Sequence, residues 1–320
     1  MAGSNYPSGF AQGVTIRGTP IDIPNPGEVF WVNNSSVLAK DGVGGSNGND
    51  GSYRRPFSTL DYAVGKTTAS RGDVIYVMPG HVETFTAADG VDFDVAGITV
   101  IGLGRGTKQP QFKLNHANAE LVIGANDVGL YNLRITSTIT GVKIGIDVET
   151  LNTDSVISGC RFDVETTTTD EFLITINYTV GCDNFLVENC TIDNGLGGAA
   201  AGIKLVGATA GGTIRNNRIV GDYSLAIISG ITTASTEIYI EDNTLFQGGS
   251  GDINAVAAIV LVNATTGLTA RNVMVVDLTT HVAAQTGSGR IMSLNQHTDE
   301  AGTAVTTSNT SASILISADA

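Results

Sequence analysis

The chain has 320 residues, of which 15% are charged, 6% are aromatic and 40 are Gly, so it can bury a sizeable core in one or two domains. A formal net charge of -14 with 17 scattered Lys and Arg argues against a nucleic-acid partner, which needs a basic patch. No window approaches the roughly 18 apolar residues of a membrane helix, and Cys160, Cys182 and Cys190 are an odd set without CxxC spacing, which speaks against a disulfide framework or a zinc site. No metal and no cofactor is expected. Segments rich in Ala, Leu, Glu and Lys are few. Short β-branched runs broken by Gly, Asn and Asp predict an all-β chain of many strands. The first ten residues, MAGSNYPSGF, lack the basic start and apolar core of a signal peptide, so synthesis in a cytoplasm without export is expected.

In chain order, residues 1–52 form an extended arm followed by a Gly/Asn-rich loop. The arm holds two short apolar segments, Val14–Ile16 and Val29–Val32, separated by Pro24-Asn25-Pro26-Gly27, which forbids helix. Such a segment cannot make a core alone and must lie on its own domain or on a partner. Phe30 and Trp31 are the natural anchors, flanked by Val32 and preceded by Ile16, because aromatics carry much of the energy of protein contacts. The loop DGVGGSNGNDGS at 41–52 has no alternating carboxylate pattern for Ca²⁺ and is expected to be flexible. After Pro56, Ser58 or Thr59 starts a short capping helix with Leu60, Ala63 and Val64 on one face. Arg71-Gly72-Asp73 reads as the turn into GDVIYVMPG, the expected first rung.

From residue 53 to 278 one phrase returns. Gly102, Asn132, Gly159, Asn189, Asn216, Asp242 and Asn272 follow one another at spacings of 30, 27, 30, 27, 26 and 30. Apolar residues sit two before and three after most of these anchors, which is possible on one face only if the chain bends there. Asn, Asp and Gly tolerate the left-handed conformation of such a bend. The next position reads Leu103, Leu133, Cys160, Cys190, Asn217, Asn243, Val273, predicting like stacked on like, with Asn217 over Asn243 as a hydrogen-bonded ladder and Cys160 over Cys190 as buried thiols. Second runs, including Leu121/Ile123, Ile144/Ile146/Val148, Ile203/Leu205 and Val260/Val262, supply further strands. A unit of two or three strands cannot bury its own face, but stacked units can. The fold predicted is a single-stranded right-handed parallel β-helix of roughly 26–30 residues per coil. The Thr/Ser/Ala-rich segment 279–320 is a cap, an oligomerisation seam or a free end.

No catalytic set assembles from spacing alone. His81, His116, His281 and His297 stand in unrelated contexts. Asp92 and Asp94 alternate around Phe93 and should share a strand face; Glu165, Asp170 and Glu171 flank the polar stretch ETTTTDE. Either is a candidate carboxylate pair, and solvated acids are the simpler reading of both.

The stretch PFSTLDYAV…GDVIYVMPGHVETF…GITVIGLG resembles the opening coils of pectin-lyase-like right-handed β-helix proteins. Polygalacturonase-like members of that group carry Asn-Thr-Asp, Asp-Asp, Gly-His-Gly and Arg-Ile-Lys. This chain has Asn152-Thr153-Asp154 without the other three, so the resemblance implies fold and not activity. Residues 9–60, with GVTIRGTP and PGEVFWVNNSS, resemble the start of tailed-bacteriophage virion proteins. That resemblance implies a non-enzymatic head decoration (cement) protein on the virion capsid surface, made in the host cytoplasm, binding the major capsid protein as a homotrimer. The alternative it leaves open is a tailspike that binds or cleaves host-surface glycan.

Overall fold

In a computed structural model the chain winds into a parallel β-solenoid with three flat faces. The structure describes residues 27–34, 44–88, 90–166, 170–195, 198–247 and 257–276, together with the backbone of the short strands at 14–16, 19–21, 285–286, 290–293 and 296–298. Face I is a ten-stranded sheet from Val29–Val32 to Arg290–Ser293, face II has nine strands from Val82–Phe85 to Gln296–Thr298, and face III has eight from Gly90–Phe93 to Gln285–Thr286. Each complete coil contributes one strand to each face, and consecutive coils pair in parallel. Alternate side chains point inward. Leu130, Ile157, Val187, Ile214 and Ile240 from face I meet Ile135, Phe162, Ile192, Ile219 and Leu245 from face II, all with no solvent exposure. At the corner from face III to face I, Tyr178 stacks on Phe185 at 4.1 Å.

The corner from face I to face II is where the repeated phrase lies. Asn132, Asn189 and Asn216 have φ of 55°, Asp242 56° and Gly159 63°, so the expected left-handed bends are present. Two members of the predicted column differ. Gly102 stays within its strand, and the last coil is shifted by one, because Glu241 pairs with Ala270 and places Arg271, φ 54°, under Asp242. Arginine in this conformation costs about 1 kcal/mol or more. Its guanidinium is held by Glu241 at 2.9 Å and Asp242 at 2.8 Å, which fixes the residue there. With this shift Thr269 and Met274, rather than Ala270 and Val275, take the inward positions of that coil. On face III the inward pair is likewise Ile259 and Leu261, not Val260 and Val262.

Asn272 therefore belongs to the next column and extends the ladder inside the corner. Asn217 Oδ1 accepts from the Cys190 N–H at 2.9 Å, Asn243 Oδ1 from the Asn217 N–H at 3.0 Å, and Asn272 Oδ1 from the Asn243 N–H at 3.0 Å. Each amide nitrogen donates inward to a strand carbonyl, that of Val187, Ile214 or Ile240, at 2.8–3.0 Å. Toward the N-terminus the same column holds the buried thiols of Cys160 and Cys190. A second left-handed column, which the sequence reading does not contain, turns face III into face I at Gly97, Asp127, Asp154, Asn184, Gly211 and Glu237. Asn152-Thr153-Asp154 is part of it and lies in this turn.

At the N-terminal end the solenoid starts earlier than expected. Val29–Val32 pairs in parallel with Val74–Val77, so the first rung is in the arm, and the 1–52 boundary cuts through the solenoid. The loop expected to be flexible is ordered from residue 44 and covers the free edge of this strand. Trp31 N–H donates to Gly51 O at 2.8 Å, and Phe57 N–H donates back to Trp31 O at 2.8 Å. That pairing blunts an edge open to other chains. The helix is Leu60–Val64, with Leu60, Ala63 and Val64 buried as predicted, but Thr59 makes no side-chain cap. Asn47 Oδ1 accepts from the Ser58 and Thr59 N–H groups, and buried Glu83 accepts from Leu60 N–H at 3.1 Å. Glu83 also meets His81 Nε2 at 3.1 Å, while His81 Nδ1 accepts from Asn34 N–H. Asp73 of the Arg-Gly-Asp turn is fully buried and accepts from Arg71, Thr68 and Glu28. At the other end, strands at 285–286, 290–293 and 296–298 carry all three sheets past residue 278; residues 299–320 lie outside the described residues.

Replacing Asn243 by Ala removes the acceptor of Asn217 N–H and the donor to Ile214 O in a dry corner, and should cost about 2–4 kcal/mol. Replacing its exposed neighbour Thr244 by Ala should cost under about 0.5 kcal/mol. Urea unfolding of the two variants reads the difference directly.

Candidate functional site

Face III near the N-terminal end carries an unbalanced row of acids. The pairing register sets Gly90 beside Glu120 and aligns Asp92, Val122 and Asp147 on successive coils. Asp94 and Glu149 extend the row. Gly124 lies between them, and a Cβ there would fall 3.1 Å from Asp92 Oδ1 and 3.4 Å from Glu149 Oε2. The helix adds Asp61, whose Oδ1 accepts the Asp92 N–H at 3.3 Å. Asp61, Asp92, Asn118, Glu120 and Val122 line a groove of about 400 Å³ between the helix and the sheet.

Three carboxyls in this row, Asp92, Glu120 and Asp147, hold their protons more tightly than free side chains. Burial raises Asp92, helped by the charges of Asp94, Glu149 and Asp61. Burial raises Glu120, with Asp147 and Glu149 adding to it and Lys143 opposing. Burial raises Asp147 as well, against a 2.7 Å hydrogen bond from Asn177. No group of three or more His, Cys, Asp or Glu among the described residues is arranged to hold a metal ion. What the groove offers is a set of hydrogen-bonding carboxyls, of which burial raises Asp92 and Glu120 above the usual carboxylate range.

The contrast lies on face II. Asp163 is equally crowded, but Arg134 Nη2 at 2.8 Å, Arg161 Nε at 2.9 Å and the Thr136 hydroxyl at 2.7 Å satisfy it. Of the two carboxylate candidates in the sequence, Asp92 and Asp94 are brought together. Glu165, Asp170 and Glu171 go different ways: Glu165 pairs with Lys113 at 2.9 Å, Asp170 accepts from Thr166 N–H, and burial, then Asp170 and Asp222, raises Glu171. Asp61, Glu120, Asp147 and Glu149 were absent from the sequence candidates. Stacking the second runs as the first were stacked would have aligned Asp92 with Asp147.

The arm residues singled out as anchors divide by the strand's alternation. Phe30 and Val32 point into the chain's own core. Trp31 points outward, half-buried between Tyr53 and Tyr76 with ring centroids 4.9 Å from each. Beside it, Val29 is 49% and Tyr53 43% exposed. Ile16 is in the strand Val14–Ile16 that pairs antiparallel with Thr19–Ile21; its side chain lies outside the described residues. His116 Nδ1 accepts from Asn118 N–H in a local turn.

No protein-family model matches this chain, and no curated protein sequence matches it. Among solved structures it is similar to a rhamnogalacturonan lyase, at 14% identity over 78% of this chain and 74% of that one, with a TM-score of 0.44. It is also similar to the native GH136 lacto-N-biosidase from Eubacterium ramulus, at 11% identity over 83% and 68% of the two chains, with a TM-score of 0.36.

The shifted carboxyls fix the sign of a pH effect. Asp92, Glu120, Asp147 and Glu171 have folded values above the ordinary 3.8 and 4.5. Their contribution to stability is complete below those values and is lost as pH rises through the folded ones. Asp73 runs the other way. Burial pushes it up, but the Arg71 guanidinium and the Thr68 and Glu28 N–H groups win and leave it low, so its contribution is lost only as pH falls through its depressed value. Tm should therefore fall as pH rises above the ordinary carboxyl values of 3.8 and 4.5. Asp147→Asn should flatten that slope, and added salt should raise Tm more at the higher pH. A calorimetric pH series with and without salt checks all three.

Proposed function

We propose that this chain is a structural protein of a tailed-bacteriophage virion. In this reading it is a head decoration (cement) protein, made in the host cytoplasm, that binds the major capsid protein on the outer shell and self-associates as a homotrimer. The observation that carries the reading is the fate of the phage-like phrase PGEVFWVNNSS. Its strand Val29–Val32 is the end rung of the solenoid, and the strand's two faces do different work. Phe30 and Val32 lock it to the rigid core, while Val29 and Trp31, with Tyr53, form an outward apolar group at that end. A rigid aromatic anchor with an exposed aliphatic and a tyrosine beside it is the composition of an interface centre, and holding it in a sheet removes the ordering cost of docking.

Because Val29–Val32 belongs to the core, the arm must be tested without deleting it. The double substitution Trp31→Ala and Tyr53→Ala, made in the full chain, should weaken binding to capsids stripped of this protein by about 2–4 kcal/mol with the β-rich circular dichroism retained. Binding as tight as that of the natural chain would sink the docking claim.

One observation favours a second reading, a tailspike that binds or depolymerises host-surface glycan. Asp92 and Glu120 line the same groove and burial raises the pKa of both, the direction in which a general acid beside a second carboxylate is tuned in glycoside hydrolysis. New reducing ends released from capsular or lipopolysaccharide glycan, and lost in Glu120→Gln, would establish it. No release from any glycan offered would leave the groove without that chemistry.

A further inference from the structure

We infer that two or more copies of this chain meet side by side along one apolar ridge, at the corner where face III turns toward face I. The ridge is built one side chain per coil. Beyond the aligned residues Val148, Tyr178, Leu205, Gly230 and Leu261, the chain leaves the sheet and presents Leu151, Val180, Val206, Ile231 and Val262. Leu151 is 68% exposed, Val180 49% and Ile231 43%; Val206 and Val262 are half-buried. Val206, Ile231 and Val262 follow one another in register, and beside them Leu151 and Val180 each lie over the coil that follows. A Cβ on Gly181 would fall 2.6 Å from Leu151 Cδ2, and one on Gly207 would fall 2.5 Å from Val180 Cβ.

Two features of Leu151 are unfavourable in a single copy. It exposes a large apolar side chain, and it does so from a left-handed backbone with φ 66°, where a leucine is an outlier. Asparagine or glycine would relieve both. A partner that covers the ridge offsets the exposure, since a row of apolar residues flanked by polar ones is an association surface.

The occupant follows from charge and from period. At net charge -14, copies repel one another wherever charged surfaces meet. Beyond Leu151, which Glu149 and Asp154 flank, the ridge segments are where that repulsion is least: 172–182, 205–214, 224–236 and 257–270 contain no Asp, Glu, Lys or Arg. The ridge also repeats at the strand spacing, about 4.8 Å per coil, so a partner must present apolar groups at the same step over several coils. A second solenoid of this sequence, aligned in the same direction, does so by construction. This inference rests on the self-association included in the function proposed above, but not on the virion.

The test uses the full chain and three variants. Mass photometry and sedimentation across micromolar concentrations should show the natural chain as an oligomer. Leu151→Gly, which suits a left-handed backbone, should keep or raise Tm at the lowest concentration and still require a roughly tenfold higher concentration to associate. Ile231→Asn should do the same. In Ile231→Cys the native thiols are buried, so mild copper-phenanthroline oxidation in air should join copies through the introduced thiol alone. A natural chain that stays monomeric, or variants that associate as tightly as it does, overturns the inference. So does a monomeric natural chain whose capsid binding is lost in Leu151→Gly, which would assign the ridge to the shell. Loss of capsid binding in the Trp31 and Tyr53 variant alone bears on the docking claim and leaves the ridge untouched.

Discussion

A chain that turns three times per coil around a dry core must satisfy every backbone N–H and C=O at each corner. That constraint governs the rest of this structure. The left-handed residues at two of the three corners turn the chain from one face to the next, and the backbone groups there are paired to the coil above or below. At the corner from face I to face II the side-chain amides of Asn217, Asn243 and Asn272 complete the pairing, each accepting a backbone N–H of the preceding coil and donating to a carbonyl of that same coil. Cys160 and Cys190 hold the same column nearer the N-terminus because a thiol fills that space with a smaller demand for partners.

Stacking like positions has an electrostatic consequence. In a sandwich a surface acid meets whatever neighbour the fold supplies; in a solenoid it meets its own counterparts on adjacent coils. Columns of mixed sign become ladders, as with Glu188 and Arg215 at 2.8 Å or Asp163 between Arg134 and Arg161. The face III column from Asp92 to Asp147 has no such alternation, and burial raises the pKa of its acids instead. The same face is acidic over its first coils and uncharged over the coils that follow, apart from Lys204.

How much of this was legible in the sequence depended on period. The bends at Asn132, Asn189, Asn216 and Asp242 were readable because residues able to adopt the left-handed backbone recur at the coil length. The last bend was misplaced by one residue, since Arg271 has no intrinsic preference for that conformation and is held there by Glu241 and Asp242, a tertiary effect. The second corner was invisible for a similar reason: Asp127, Asn184 and Glu237 share a backbone conformation but no residue type. Phe30 and Val32 were recognised as apolar anchors. Whether they serve the core or a partner was decided by parallel pairing with Val74–Val77, a contact 45 residues away that no local pattern announces.

The two ends and the ridge follow from a single limitation of the solenoid. Coils satisfy each other along the axis, so unmet requirements collect at the termini and along corners. At the N-terminal end the requirement is a strand edge, met by residues 51–57 lying along Val29–Val32 and by the helix packed beside them. Along the corner it is apolar surface, because residues leaving face III are too close to solvent to reach the core and too uniform in type to be mutually screened. A polar residue at each of these positions would have ended the problem within one chain. The retention of leucine, valine and isoleucine there, one of them in a strained backbone, leaves the apolar surface for another molecule to cover.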